Sequence, residues 1–153
     1  MALPITIRNS DDSAELSSIS WGSINKGSAS AELTIRIWNN YGGASAVDDA
    51  TDCALVVKTY TLLDTGDTNA NGQELVTEQF VSAKCTTRGD TSFTDIGGAT
   101  TLPIGNAAAS TTLSGEITDP TAQASTVVLK ITVPSDANAA SINFKLGLAY
   151  TES

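Results

Sequence analysis

Apolar and polar residues alternate along most of this chain with a period of two. The clearest run covers residues 31–38, where Leu33, Ile35 and Ile37 alternate with polar neighbours. A period of two places one set of side chains on each face of a β-strand, and no run of comparable length repeats at helical spacing. The pattern therefore predicts a chain built from β-strands.

Short strands separated by turn residues account for nearly the whole sequence. Gly- and Asn-rich segments such as residues 25–27 and 39–43 separate the runs, and these residue types tolerate the backbone angles of tight turns. We predict one all-β domain over residues 1–153, an antiparallel β-sandwich of about eight to nine strands. The strands are predicted over residues 3–8, 16–21, 31–38, 53–63, 80–86, 111–117, 126–133 and 142–150.

The charge balance and the absence of histidine narrow the function. The chain carries 8 Lys and Arg residues against 17 Asp and Glu residues, a net charge of −9. The cations do not cluster in sequence, so we expect no binding of nucleic acid or of an anionic membrane. Without histidine, the commonest general base is missing, as is the usual partner of a nucleophilic Ser or Cys. We therefore expect a protein that is not an enzyme and has no cofactor.

The first residues and the short apolar runs predict a chain that is neither exported by a signal peptide nor inserted in a membrane. The first residues lack the basic and apolar regions of an export signal. The longest apolar run, residues 53–57, is far shorter than the ~20 residues that span a bilayer. We expect synthesis in the cytoplasm.

Two cysteines, Cys53 and Cys85, fall on predicted strands. Antibody-type domains place a tryptophan between their two bridged cysteines. Here Trp21 and Trp38 both precede Cys53, so that pattern is absent. We predict two small buried thiols, with a disulfide across the sandwich as the alternative.

Residues 67–78 match the calcium-loop pattern D-x-[DN]-x-[DN]-G-x5-E. Asp67, Asn69, Asn71 and Glu78 would supply the oxygen ligands that calcium prefers. The flanking residues are predicted to be strands, whereas an EF-hand needs two helices. A solvent-exposed Asn-Gly hairpin loop is therefore the alternative interpretation of this segment. A second motif, Arg88-Gly89-Asp90, spells an integrin-binding tripeptide, with plain Gly-Asp turn chemistry as the alternative.

Two features predict where the chain contacts other proteins. Trp38 falls on the otherwise polar side of its strand and is followed closely by Tyr41; aromatic residues are enriched in interface cores. The alternative is that a loop of the same chain covers Trp38. Pro4 confines the first strand to a sheet edge, where pairing with another chain is possible. The candidate interface residues are Leu3, Ile5, Ile7, Trp38 and Tyr41.

Several stretches resemble two kinds of known protein. Residues 19–28 (ISWGSINKGS) and 33–40 (LTIRIWNN) resemble the opening of Ig-like sandwich modules. The remaining stretches resemble small virion structural proteins of tailed bacteriophages. They are residues 74–86 (ELVTEQFVSAKCT), 93–98 (FTDIGG), 133–137 (VPSDA) and 144–150 (FKLGLAY).

This resemblance implies an Ig-like β-sandwich without catalytic residues. It further implies a virion protein, most simply a capsid decoration (cement) protein that binds the major capsid protein and stabilises the shell. Such proteins commonly form homo-oligomers, and the resemblance implies a trimer. The alternative is a tail-fibre or baseplate module that binds host surface carbohydrate, for which Trp38, Tyr41 and Tyr60 are the candidate stacking residues.

Overall fold

The fold is that of a computed structural model, which describes residues 2–59, 70–138 and 144–153. Eight strands, one α-helix and two short 3-10 helices occupy these ranges. The strands are β1 (Ile5–Asn9), β2 (Leu33–Asn39), β3 (Ala50–Thr59), β4 (Val81–Cys85), β5 (Thr94–Ile96), β6 (Leu102–Pro103), β7 (Ala124–Ile131) and β8 (Phe144–Glu152); helix α1 is Ala70–Thr77, and the 3-10 helices are Thr86–Arg88 and Pro120–Gln123.

The strands form two antiparallel sheets, so the prediction of an all-β fold is confirmed. The five-stranded sheet has the order β1-β2-β7-β4-β5, and the three-stranded sheet has the order β6-β3-β8. Every pairing between neighbouring strands is antiparallel. The position of β1 at the end of its sheet agrees with the edge strand that Pro4 predicts.

Alternation along the strands builds the core. On β2 the positions that alternate inward, Ile35 and Ile37, are fully buried, as are Leu55 and Val57 on β3. Full burial of such a side chain contributes roughly 1.5–3 kcal/mol each. The core residues from the two sheets form one cluster that also takes in Leu75 and Val76 of helix α1, among others.

Two predicted strands are wrong. Residues 16–21 and 111–117 form no strand. The first segment follows an isolated bridge between Arg8 and Glu15, and the second contains one between Ala50 and Leu113. Leu16 and Leu113 are among their apolar side chains that pack on the core, and such residues produce the alternation that suggested strands, whereas Ile117 is exposed. Residues 111–115 make backbone hydrogen bonds to Val47, Ala50 and Cys53 that amount to one isolated bridge, whereas the backbone of residues 17–21 makes no hydrogen bond to the described part of the chain.

Helix α1 occupies part of the segment for which the sequence suggested either a calcium loop or a hairpin. Asn71 and Gly72 lie in its first turn, so the backbone there is helical and not a hairpin turn. Leu75 and Val76 are buried, and Gln79 ends the helix in a left-handed conformation with φ of 55°.

Across the described ranges, no helix combines the length and the apolarity needed to cross a bilayer.

Strands β1 and β8 border the same flank of the molecule. The backbone N–H of Leu3, just before β1, donates a hydrogen bond to the Tyr150 hydroxyl on β8 at 3.2 Å. In the described part of the chain, β8 pairs only with β3. The inward-facing residues of β8, which include Leu146 and Leu148, are half-buried rather than buried. The two sheets are therefore less completely closed along this flank than at their centre.

Candidate interaction surface

The residues predicted to form an interface lie where β1 meets the end of β2. Ile5 pairs with Asn39 and Ile7 pairs with Ile37, which places Ile5 and Ile7 on the core side of the sheet. Both are half-buried, and so is Leu3. The N-terminal strand thus gives its apolar side chains to its own core, and only its backbone edge is available to another chain.

That edge is partly covered by the chain itself. The turn after β1 folds back, so that Asn9 N–H donates to the Ala14 carbonyl at 3.1 Å and Leu16 N–H donates to the Ile7 carbonyl at 2.8 Å. Around the start of β1, Leu3 N–H donates to the Tyr150 hydroxyl and Ile5 N–H donates to the Leu3 carbonyl at 2.8 Å, so part of the backbone there is also bonded within the chain. The edge that can pair with another chain is therefore shorter than the sequence suggests.

Trp38 lies on the outer face of the five-stranded sheet but is only 7% exposed. Its ring N–H donates a hydrogen bond to Asp12 Oδ1 at 2.7 Å. The ring of Tyr41 packs edge-on against it, with 4.9 Å between the centroids and an interplanar angle of 79°. The chain's own residues thus cover Trp38, which leaves it little exposed surface for stacking on a sugar. Tyr60, another of the candidate stacking residues, lies outside the described ranges.

Asp12, in the turn after β1, contacts side chains of both β1 and β2. Its carboxylate forms an ion pair with Arg36, with 2.9 Å between Arg36 Nε and Oδ2. Its backbone carbonyl accepts hydrogen bonds from Arg8 Nη2 at 2.9 Å and from the Tyr41 hydroxyl at 3.3 Å. Asp12 itself has a φ of 61°, a left-handed conformation that Asp tolerates better than most residues. One residue therefore holds both cations and both aromatic rings in place.

Tyr41 and Arg8 form the accessible part of this corner. Tyr41 is 40% exposed, and the guanidinium carbon of Arg8 lies 3.8 Å from the centroid of its ring. A cation stacked on an aromatic ring contributes about 0.5–1 kcal/mol at an exposed site and fixes both side chains. We call Arg8, Asp12, Arg36, Trp38 and Tyr41 the Tyr41 corner. It presents a rigid, partly apolar surface of the type enriched in protein interfaces.

The strand register brings half of the chain's cations to one sheet face. Arg8 lies opposite Arg36, Arg36 opposite Thr126, and Lys84 opposite Val128. Lys130 follows Val128 by two positions on β7, so its side chain is on the same face. Lys84 and Lys130 place their ammonium groups 4.7 and 4.3 Å from the Phe93 ring centroid. Sequence spacing does not reveal this grouping, because each cation comes from a different strand.

The calcium-loop prediction falls largely on residues outside the described ranges. Asp67 and Asn69 lie there, Asn71 is in the first turn of α1, and Glu78 directly follows that helix. Within the described residues, no group of three or more Asp, Glu, Cys or His side chains is placed to hold a metal ion. The calcium site stays a prediction, which a rise in melting temperature with added calcium, abolished in Asp67→Ala, would test.

The Arg-Gly-Asp tripeptide uses its charged groups within the chain. Arg88 Nε donates to the Ser110 carbonyl at 2.6 Å, and Asp90 Oδ2 accepts the Cys85 N–H at 2.8 Å. Gly89 has a φ of 88°, as expected for a turn after the 3-10 helix. These contacts give the tripeptide a structural role in the turn.

Both cysteines are free and buried, as predicted. The Cys85 sulfur lies 3.0 Å from the Ser125 hydroxyl, and the Cys53 thiol donates to the Ala50 carbonyl at 3.3 Å. Burial raises the pKa of Cys53 to about 11 from an ordinary 9.0. Because the thiolate is the reactive species, this thiol is inert near neutral pH.

Sequence reasoning identified Trp38 and Tyr41 but missed Asp12 and Arg8. The signal for the turn was present, since Asp11-Asp12-Ser13 follows a strand and these residue types favour turns. The contact with Trp38, 26 residues away, depends on the pairing of β1 with β2 and carries no local signal.

Comparison with known proteins gives no match, either to a protein-family model or to a curated protein at a significant level.

Proposed function

We propose that this chain is a non-enzymatic virion structural protein of a tailed bacteriophage, and specifically a capsid decoration protein with an Ig-like β-sandwich. The support from the sequence is twofold. Residues 19–28 and 33–40 resemble Ig-like modules, and residues 74–86, 93–98, 133–137 and 144–150 resemble virion structural proteins. The support from the structure is coarser: an all-β chain of two antiparallel sheets is the type of scaffold such a protein would use. The chain would be made in the host cytoplasm and incorporated into the particle.

The Tyr41 corner beside the β1 edge is the observation that carries the proposal. Side chains usually need to be ordered on binding, and this ordering costs about 0.5–1.5 kcal/mol for each flexible side chain. At the corner, Asp12 and the ring stacking already hold Arg8 and Tyr41 in the free chain. The adjacent strand β1 lies at the edge of its sheet, where a neighbouring chain can approach. We propose that this surface contacts the major capsid protein or a second copy of the chain.

A homo-oligomer, most simply a trimer, would place the same edge and corner at each contact. A heterologous contact closes into a ring when its rotation allows, and a ring of three buries the edge of every copy. Burial of the edge in this way would remove the aggregation hazard of an unpaired strand. The trimer rests on the resemblance and on this argument.

Purified particles test the proposal directly. Mass spectrometry of intact virions should detect the chain in stoichiometric amounts, and electron microscopy should place it on the shell. Particles stripped of the chain should rebind it, whereas Tyr41→Ala should rebind more weakly. Thr34→Ala, on the same sheet face, is the matched control. Absence of the chain from intact particles would refute the virion function, and its presence only on the tail would refute the decoration function.

A further inference from the structure

A large cleft runs between the two sheets along the flank that β1 and β8 border. Its volume is about 910 Å³, which lies within the ~300–1,000 Å³ typical of small-molecule sites. Ile7 of β1, Leu129 and Ile131 of β7, and Phe144 and Leu146 of β8 are among its walls. The cleft is open to solvent, and polar and apolar groups contribute about equally to its exposed lining, so it suits an occupant that has both an apolar and a polar part.

Residues 16–26 form the outer wall of the cleft, and we call them the strap. Leu16, Ile19, Trp21 and Ile24 of the strap line the cleft and pack against the core cluster. The backbone groups of residues 17–24 make no hydrogen bond to the described part of the chain, although the strap is bonded at Leu16 and Asn25. The strap is therefore attached at its two ends and held between them by side-chain packing, so an occupant can enter without breaking a β-ladder.

The charged side chains that line the cleft in the described part of the chain are both cations, and the acidic Glu74 lies beside the lining, where it accepts the backbone N–H of the lining residue Asn138. Among the described lining residues, Lys26 and Lys145 are charged and none is acidic, although acids outnumber cations in the chain by 17 to 8. Lys26 is exposed, at the end of the strap, where its ammonium group can meet both solvent and a ligand head group. The serine hydroxyls of residues 17, 18, 20 and 23 add hydrogen-bonding groups along the same wall.

We infer that the cleft binds a single-chain amphiphile with an anionic head group, of the chemical class of a fatty acid. The apolar walls would take the alkyl chain, and Lys26 would attract the head group at the strap. An extended polypeptide is the other occupant the cleft could hold. It is disfavoured because the space exists with the strap in place, whereas a peptide strand would have to displace the strap to pair with β8. This inference does not depend on the virion proposal.

Tryptophan fluorescence provides the test, because Trp21 lines the cleft. Trp38, in contrast, lies on the outer face of the five-stranded sheet, away from the cleft. The probe is 11-bromoundecanoate, whose bromine quenches a tryptophan it contacts, at concentrations below micelle formation. We expect saturable quenching in the wild-type chain, retained in Trp38→Phe and lost in Trp21→Phe. If Trp38→Phe fails to fold, Trp21→Phe alone decides the result. Absence of quenching, or equal quenching in Trp21→Phe, would overturn the inference in favour of a peptide occupant or an empty cleft.

The head-group preference is tested with the neutral 11-bromoundecanol. Lys26→Met should weaken binding of the acid about two- to fivefold, the range of an exposed ion pair, and should leave binding of the alcohol unchanged. Lys84→Met, on the outer sheet face, is the matched control. Equal weakening of acid and alcohol would overturn the anionic class.

A larger side chain inside the cleft should exclude the probe. Leu146 lines the cleft from β8, whereas Ala149 on the same strand is exposed. Leu146→Phe should weaken binding of 11-bromoundecanoate by tenfold or more, and Ala149→Phe should leave it unchanged. Circular dichroism of both variants establishes that the sheets are intact. Binding unaffected by Leu146→Phe would show that the alkyl chain lies elsewhere and would overturn the inference.

Discussion

The indole N–H of Trp38 donates to the carboxylate of Asp12 at 2.7 Å across 26 residues of sequence. This bond fastens the turn after β1 to the end of β2 and buries an aromatic ring on a sheet face that faces outward. The same carboxylate pairs with Arg36, so a single acidic group satisfies both a buried ring donor and a half-buried cation. The corner is consequently sensitive to changes at Asp12.

Replacement of Asp12 should destabilise the chain in two distinguishable steps. Asp12→Asn removes the charge opposite Arg36 but keeps an oxygen that can accept from Trp38, so we expect a loss of about 1 kcal/mol in the free energy of unfolding. Asp12→Ala also removes that acceptor and disfavours the left-handed backbone, so we expect about 2–3 kcal/mol. Urea denaturation measures both, with exposed Glu32→Gln as the control. Equal costs for the two variants would contradict the role of the Trp38 hydrogen bond.

Stability should fall at alkaline pH through Cys53. Its folded pKa is raised to about 11 from an ordinary 9.0, because burial disfavours the thiolate. A raised folded pKa means that the contribution is fully present below pH ~9 and is lost as the pH rises toward 11, since only the unfolded chain ionises there. Denaturation at a series of pH values should show a steeper decline for the wild type than for Cys53→Ala. Parallel declines would contradict this assignment.

Two glycines should respond in opposite ways to alanine. A Cβ on Gly97 would lie 2.2 Å from the backbone carbonyl oxygen of Val76 at the end of α1, whereas a Cβ on Gly147 would meet only a Val56 methyl at 3.7 Å. Gly97→Ala forces backbone movement and should cost about 1–3 kcal/mol. Gly147→Ala lies in a strand and should be neutral or slightly stabilising. Thermal melts of the two variants suffice, and similar melting temperatures would refute the close approach of Gly97 to the helix.

Assembly of the isolated chain should increase with salt. Copies with a net charge of −9 repel one another, and ions at 0.15 M reduce this repulsion beyond about 8 Å. Light scattering over a salt series should therefore show growth from monomer toward the oligomer, weakened in Tyr41→Ala. A monomer at every salt concentration, together with particle binding unaffected by deletion of residues 1–8, would place the contact surface elsewhere.

The strands that the sequence predicts correctly are those with long alternation and β-branched residues, such as β2 and β7. Strands β5 and β6 have three and two residues, too few for any period to show. Helix α1 contains Asn71-Gly72, which disfavours a helix locally, and it is held by burial of Leu75 and Val76 against the core. Tertiary packing overrides local preference there.

The turn predicted at Asn39 and Asn40 is present, but the sequence did not predict the buried hydrogen bonds of their side chains. Asn40 has the positive φ of 62° that a turn predicts. Both side chains are also buried, and their amides donate to carbonyls of distant loops, Asn39 to Leu113 and Asn40 to Gly115. These bonds add to the backbone hydrogen bonds that the same carbonyls accept from Ala50 and Val47, and together they hold residues 111–115 without a regular ladder. A loop fixed by two amides from another strand has no periodic sequence signal.

The hydrogen bond between Leu3 and Tyr150 brings the start of the first described strand close to a side chain of the last one, across the two sheets. A peptide linker between residues 2 and 153 should therefore be able to close the chain, and new termini could be cut between residues 17 and 24, where no backbone hydrogen bond to the described part of the chain would be lost. Such a circular permutant should fold. It would also carry any fused peptide out from the strap, on the side of the molecule where the cleft opens.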